Sequence, residues 1–153
     1  MNDSNNQDLS LKEKIRQLVE NQPFAVLCTK DTTQLHGSLI AFAYSEDLKH
    51  YFFLTPKATK KYRLLKKCER IALVIDNRSR NQENESQIEA VTITGTAVEL
   101  TGEDDIAKAE KMLSERHSYF SKVIPSESAA PFRIDVDEYE YVTRFQKVYQ
   151  WIP

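Results

Sequence analysis

Glycine is scarce in this 153-residue chain, with only Gly37, Gly95 and Gly102. Dinucleotide fingerprints and Walker A loops need glycines clustered at fixed offsets, so both are excluded and a nucleotide has to be held another way. The two cysteines, Cys28 and Cys68, lie in apolar segments without metal-ligand spacing. Buried packing with ordinary reactivity is the expectation for both. There is no apolar run long enough to span a bilayer and no signal-peptide pattern, which predicts a soluble, cytoplasmic protein. Nor does one sign of charge dominate, with 21 basic residues against 23 acidic, so no global field draws the chain toward nucleic acid or membrane. The length suits one domain over 1–153 that buries its own core.

What is present is organised around the stretch 51–75, YFFLTPKATKKYRLLKKCERIALVI. Thr55-Pro56 ends a strand, because proline cannot donate to a ladder. Thr59 is a good N-cap type, and a helix over Lys60 to Cys68 places Tyr62, Leu65 and Cys68 on one face. Lys60 and Lys61 then fall in the first turn, where free N–H groups and the helix dipole are already positive. Backbone donors, a hydroxyl and two ammoniums together suit a phosphate. Solvated lysines are the plainer reading, and the residues alone leave both open.

Along the rest of the chain, residues 1–8 are polar and expected to fray. Ser10-Leu11-Lys12-Glu13 is a capping-box pattern opening a helix over 9–22, with Leu11, Ile15, Leu18 and Val19 as its apolar stripe. Strands are predicted over Phe24 to Lys30, Leu35 to Tyr44, His50 to Thr55 and Ile71 to Ile75. The small residues Gly37-Ser38-Leu39-Ile40-Ala41 in the second strand mark either a bulge or a close approach to the backbone. An exposed loop spans 77–87, and a long strand over Ile88 to Leu100 bends at Gly95. Thr101 is expected to cap a helix reaching Arg116, whose charges run acidic to basic as the dipole favours. A further helical turn over His117 to Ile124 is predicted to turn Tyr119 and Phe120 inward and to end at Pro125. Pro131 precedes a last β region over Phe132 to Phe145, and Val148 to Ile152 forms a final strand. This pattern predicts an α+β protein: a six- to seven-stranded antiparallel split β-barrel with peripheral helices.

The order FAVLCTK, HGSLIAFAYS, YFFLT, TKKYRLL, ERIALVID, TITGTAVEL resembles the pyridoxamine 5'-phosphate oxidase-like, FMN-binding split-barrel family. The resemblance covers roughly 23–100, with a weaker echo in the last twenty residues. The family's Ser/Thr-x-Lys element ahead of a leucine-containing helix corresponds to Thr59-Lys60-Lys61 before Leu64-Leu65. The resemblance implies FMN in a cleft between the subunits of a homodimer. Ring and ribityl chain would follow Ser38, Leu39, Ile40 and Ala41, with Leu54 and Thr55 at the end of the third strand. The phosphate would meet Thr59, Lys60 and Lys61. Trp151 falls where some relatives place a residue near the ring. Oxidase members carry an Arg where this chain has Ser38 and a Lys where it has Ala43, and their substrate-phosphate residues find no match near the C-terminus. The resemblance therefore implies an FMN-binding protein, either a flavin-dependent oxidoreductase of another substrate, with no catalytic residue to name, or a non-catalytic flavin carrier or sensor using the same pocket.

Two other readings compete. Haem binding or breakdown, known among split-barrel relatives, needs an axial ligand such as His36, His50 or His117. Polyanion or nucleic-acid binding would use the basic segment 57–70, where Lys57, Lys60, Lys61, Arg63, Lys66, Lys67 and Arg70 crowd around Tyr62. Against the latter stand the acidic balance elsewhere and the absence of a nucleic-acid motif.

Overall fold

In a computed structural model the chain is described over residues 2–120 and 127–153. Its strands are β1 (Phe24–Lys30), β2 (Leu35–Ala41), β3 (Ala43–Tyr44), β4 (His50–Pro56), β5 (Arg70–Asp76), β6 (Glu89–Glu99), β7 (Ala129–Thr143) and β8 (Lys147–Trp151). The helices are α1 (Asn2–Glu20), α2 (Lys60–Lys67) and α3 (Glu103–Arg116). The strands make one antiparallel sheet ordered β2-β1-β5-β6-β7-β4-β3, with β8 added to β7. The two outermost members of that order, β2 and β3, are halves of one stretch broken at Phe42. The sheet must curl until its two edges meet in that stretch, which makes it the predicted split barrel. Treating 35–44 as a single strand restores the expected count.

Alternation fills the interior. Ala25, Leu27 and Thr29 of β1, Ile71, Leu73 and Ile75 of β5, and Val91 and Ile93 of β6 are buried on one face. From β4 and β7, Tyr51, Phe53, Phe132, Ile134, Tyr139 and Tyr141 join the same core. The buried Tyr139 hydroxyl donates to the Leu48 carbonyl at 2.6 Å and meets the Tyr51 hydroxyl at 3.0 Å, so neither phenol is left unsatisfied. Helix α1 lays Ile15, Leu18 and Val19 on this core. Ala109 and Leu113 of α3 are buried, Ala109 packing with Phe52 and Leu100 on the outer side of β4.

Several boundaries differ from expectation. Helix α1 already runs from Asn2, since no Gly or Pro stands before Pro23 to interrupt it. Gly102, not Thr101, is the N-cap of α3, with no side-chain cap bond; Glu103, Asp104 and Asp105 complement the dipole instead. The β1–β2 register is unbroken from Phe24↔Ala41 to Lys30↔Leu35, so the small residues there do not form a bulge. Pro131 lies inside β7, where its carbonyl accepts from the Leu100 amide at 2.9 Å. Strand β7 stops at Thr143 because Arg144 and Phe145 take positive φ in the turn to β8. Tyr119 is 71% exposed and does not pack inward as expected. The rest of the helical turn expected over 117–124 falls on 121–126, outside the described residues. The loop 77–87 is exposed as expected, with short 3-10 turns at Arg78–Arg80 and Glu85–Gln87.

Gly95 does mark a bend: the β6–β7 register shifts between Thr94 and Gly95, and a Cβ at Gly95 would overlap the Asp135 carbonyl oxygen. Gly95→Ala is therefore expected to destabilise the fold by about 1–3 kcal/mol, as overpacking does. Urea unfolding measures this, and an unchanged midpoint would show that β7 yields without cost.

Candidate functional site

The break at Phe42 builds the site. Before it, every residue of β2 pairs with β1; after it, Ala43 and Tyr44 pair with Phe52 and Tyr51 of β4. Phe53, Leu54 and Thr55 of β4 pair with β7 on one side and with no strand on the other. The outer edge of β2 is likewise unpaired. Two strand edges thus diverge from the bend with backbone N–H and C=O groups facing a slot, groups that need water or a ligand. Ser38 and Ile40 point to the barrel side of β2, while Leu39 points out and is 67% exposed. On β4, Thr55 points in and is fully buried, and Leu54 lies on the outer face. The Ser38 hydroxyl is buried and has no hydrogen-bond partner among the described residues, an unmet polar group on the barrel side of β2.

The start of α2 closes the slot on the β4 side. The Thr59 hydroxyl accepts from the Tyr62 amide at 3.2 Å, donates to the Pro56 carbonyl at 2.8 Å and lies 3.3 Å from the Thr55 hydroxyl. Thr59 is thus the cap that its residue type predicted.

Charges sort along α2. At its C-terminal end Lys66 pairs with Glu99 at 2.8 Å and Lys67 with Asp31 at 3.5 Å, and just beyond it Arg70 pairs with Asp137. Glu99 holds the Lys66 ammonium above its ordinary pKa. At the N-terminal end Lys57, Lys60, Lys61 and Arg63 form no ion pair among the described residues, and the first turn has no acid. Burial pushes the Lys61 ammonium below its ordinary pKa, the response of a cation losing water without gaining a counter-charge. A separate cavity of about 640 Å³ opens toward the other end of the helix, lined by Lys66, Lys67, Cys68, Glu69, Glu99 and Thr101, with both lysines already paired.

Ser38, Leu39, Ile40 and Ala41 on β2 and Leu54 and Thr55 on β4 therefore stand on the two strands that part at the bend, Thr59 is tied to Thr55, and Lys60 and Lys61 follow in the first turn of α2. Trp151 does not join them within a single chain. Thr55 lies opposite Ala130 of β7 and Trp151 opposite Tyr139, roughly 30 Å apart along the strand at 3.3 Å per residue. There the indole packs on Tyr139 at 5.1 Å with the Lys12 ammonium over its face. The histidines are scattered as well. His50 Nδ1 is 2.9 Å from Asp135, which Arg133 also grips, and His117 Nε2 is 2.7 Å from the Phe42 carbonyl. The ring of His36 has no hydrogen bond or ion pair among the described residues. Among those residues no group of acidic, histidine or cysteine side chains is placed to hold a metal ion.

Two features escaped the sequence reading. One is an outward apolar face on β1, β2 and β5, with Phe24, Leu35 and Leu39 exposed beside Val26 and Val74. Its signal was available as the second alternation of FAVLCTK and LHGSLIA, whose outward members, Lys30 excepted, are not polar. The other is the hold that Arg116 and His117 keep on the bend, for which spacing gives no cue.

A curled antiparallel barrel, slit where one strand changes partners, defines the split-barrel class. The family model described as pyridoxamine 5'-phosphate oxidase matches residues 11–143, and the chain belongs to that family. No curated protein sequence matches it. Among solved structures, a haem-binding protein from Mycobacterium smegmatis superposes with a TM-score of 0.80 at 16% identity, covering 92% of this chain and 57% of that one. The chain thus spans little more than half of that protein. HutZ, a haem storage protein from Vibrio cholerae, gives 0.73 at 13% identity, covering 87% and 94%. An FAD-binding protein from Mesorhizobium loti gives 0.67 at 14%, covering 84% and 91%. These likenesses are of fold. No helix among the described residues is long and apolar enough to cross a membrane.

Thr59→Ala should remove the cap and lower stability by about 1 kcal/mol, with Thr59→Ser restoring most of it. Thermal unfolding of both variants checks this; an Ala variant as stable as the parent would mean that the cap bond is not made.

Proposed function

We propose that the chain binds FMN in the slot between β2 and β4, with its phosphate at the start of α2, and acts as a flavin-dependent oxidoreductase on a small molecule. The observation that carries this reading is the sorting of charge along α2. Cations away from the slot have acids beside them, whereas those facing its end have none. A phosphate supplies the missing counter-charge and accepts from the first-turn amides.

The remaining residues fit the rest of the molecule. Backbone groups on the free edge of Leu39, Ile40 and Ala41 can pair with a flat heterocycle rich in donors and acceptors. Leu39 and Leu54 offer apolar walls on the outer face. The ribityl chain would run along the backbone between Ser38 and Thr55, whose hydroxyls are turned into the barrel. Isoalloxazine, when bound, supplies the electron-transfer chemistry, and the protein supplies orientation and access. Pyridoxamine phosphate oxidation itself is not proposed, because Ser38 and Ala43 stand where the oxidases place basic residues. The exposed apolar face of β1 and β2 supports a homodimer, since a second copy there would cover Phe24, Leu35 and Leu39 and wall the slot. Trp151 enters this proposal only as a residue of that second copy.

Haem is the second reading, favoured by the two haem proteins among the structural neighbours. His36 is one axial candidate, its ring without a partner among the described residues, while His50 and His117 each keep a second ring nitrogen beside the one already bonded. The polyanion reading loses its continuous basic stripe, since Lys66, Lys67 and Arg70 are paired.

Titration of the ligand-free protein with FMN, followed by flavin fluorescence quenching, tests the proposal, with haem run in parallel. Binding of FMN is expected, and replacing Lys60 and Lys61 together with Gln should weaken it by about 1.5–3 kcal/mol, the scale of charged hydrogen bonds. Riboflavin, lacking the phosphate, should bind both proteins alike. Equal FMN affinity in parent and variant would overturn the phosphate assignment. A Soret band that vanishes in His36→Ala would favour haem.

A further inference from the structure

We infer that Arg116 and His117 are positioning residues for the slot, which fix the bend at Phe42 and thereby the separation of β2 from β4. The inference rests on the flavin reading for its function but on geometry for its mechanics. Phe42 belongs to no rung of either ladder, so its carbonyl has no strand partner. His117, the first residue after α3, takes that carbonyl with Nε2 at 2.7 Å. Its ring also stacks on Phe24, with centroids 6.2 Å apart and planes 24° apart. Phe24 pairs with Ala41 in the last rung of the β1–β2 ladder. One imidazole therefore holds both strands of that rung where β2 ends.

Arg116 works from the other side of the bend. Its guanidinium lies 4.9 Å from the Phe42 ring centroid and 5.0 Å from that of Tyr44, the residues flanking Ala43. Nη2 of the same guanidinium donates to the Val19 and Gln22 carbonyls at 2.8 Å each, capping the end of α1. Its Nε is buried without a partner among the described residues, so the side chain is held there against a desolvation cost. Helix α3 thus ends in two consecutive residues that lock the point where the strand changes partners. Neither lies in the slot, and neither would touch the flavin. Their effect is on where the edges of Ser38 to Ala41 and Leu54 stand before a ligand arrives.

His117→Phe keeps the ring and removes the N–H, and His117→Gln returns a donor of similar reach. In ligand-free protein, the Phe variant should speed amide exchange within 38–44 while leaving β5 and β6 at parental rates. Its affinity for FMN should fall about tenfold, the worth of one hydrogen bond, with the absorption bands of the bound flavin shifted, and Gln should recover both. Should the Phe variant not fold, His117→Asn, whose amide is too short to reach Phe42, takes its place with the same expectations. Parental exchange across 38–44 would overturn the inference, as would a rise shared equally by β5 and β6, which marks general destabilisation. If the parent itself fails to bind FMN, the flavin reading falls, while the exchange pattern still decides whether the bend is clamped.

Discussion

A strand has two edges, and the segment 35–44 is asked to serve both ends of a curled sheet. It spends its first half on β1 and its second on β4, and the handover at Phe42 cannot be made without leaving edges unpaired. An unpaired edge costs free energy when buried and invites aggregation when exposed. Here the two free edges face each other, and a helix N-terminus stands at the end of the gap. The barrel closes, and the same closure makes a lined slot. The hydroxyl of Ser38 beside this bend is buried and has no hydrogen-bond partner among the described residues.

Electrostatics give the slot a direction. Along α2 the cations far from the slot are each matched to a carboxylate carried by another part of the chain: Glu99 on β6 and Asp31 in the β1–β2 turn. Asp31 is itself fixed in the turn by the Thr33 and Gln34 amides, which hold its carboxyl below the usual range. The cations near the slot are left unmatched, and Lys61 pays in a depressed pKa. This difference along α2 is what the proposal of a phosphate there rests on.

Much of this was legible in the residues. β1 begins and ends where the apolar alternation of FAVLCTK says, and the helix after Thr59 starts on its cap. Gly95 bends β6 as its position in a long strand implied. What could not be read was set by tertiary partners. Nothing in IAFAY marks Phe42 as a break, because the residue is as good a strand former as its neighbours; the break comes from which strand lies alongside. Thr101 looked like a cap, but Gly102 took the position, and three acids made a side-chain cap unnecessary. Trp151 was placed with the site by resemblance, yet its register on β7 seats it by Tyr139. Arg116 reads as an ordinary last-turn cation until the fold brings α1 and Phe42 to it.

The central claim is that the divergence of β2 from β4, ended by the start of α2, is the ligand site. Mapping amide chemical shifts by NMR as FMN is added tests it most directly. The account predicts that the largest changes fall on 38–41, 54–55 and 59–61, with β5 and the 77–87 loop nearly still. Changes centred instead on His36 alone or on the cavity beside Cys68, or none at all, would contradict it.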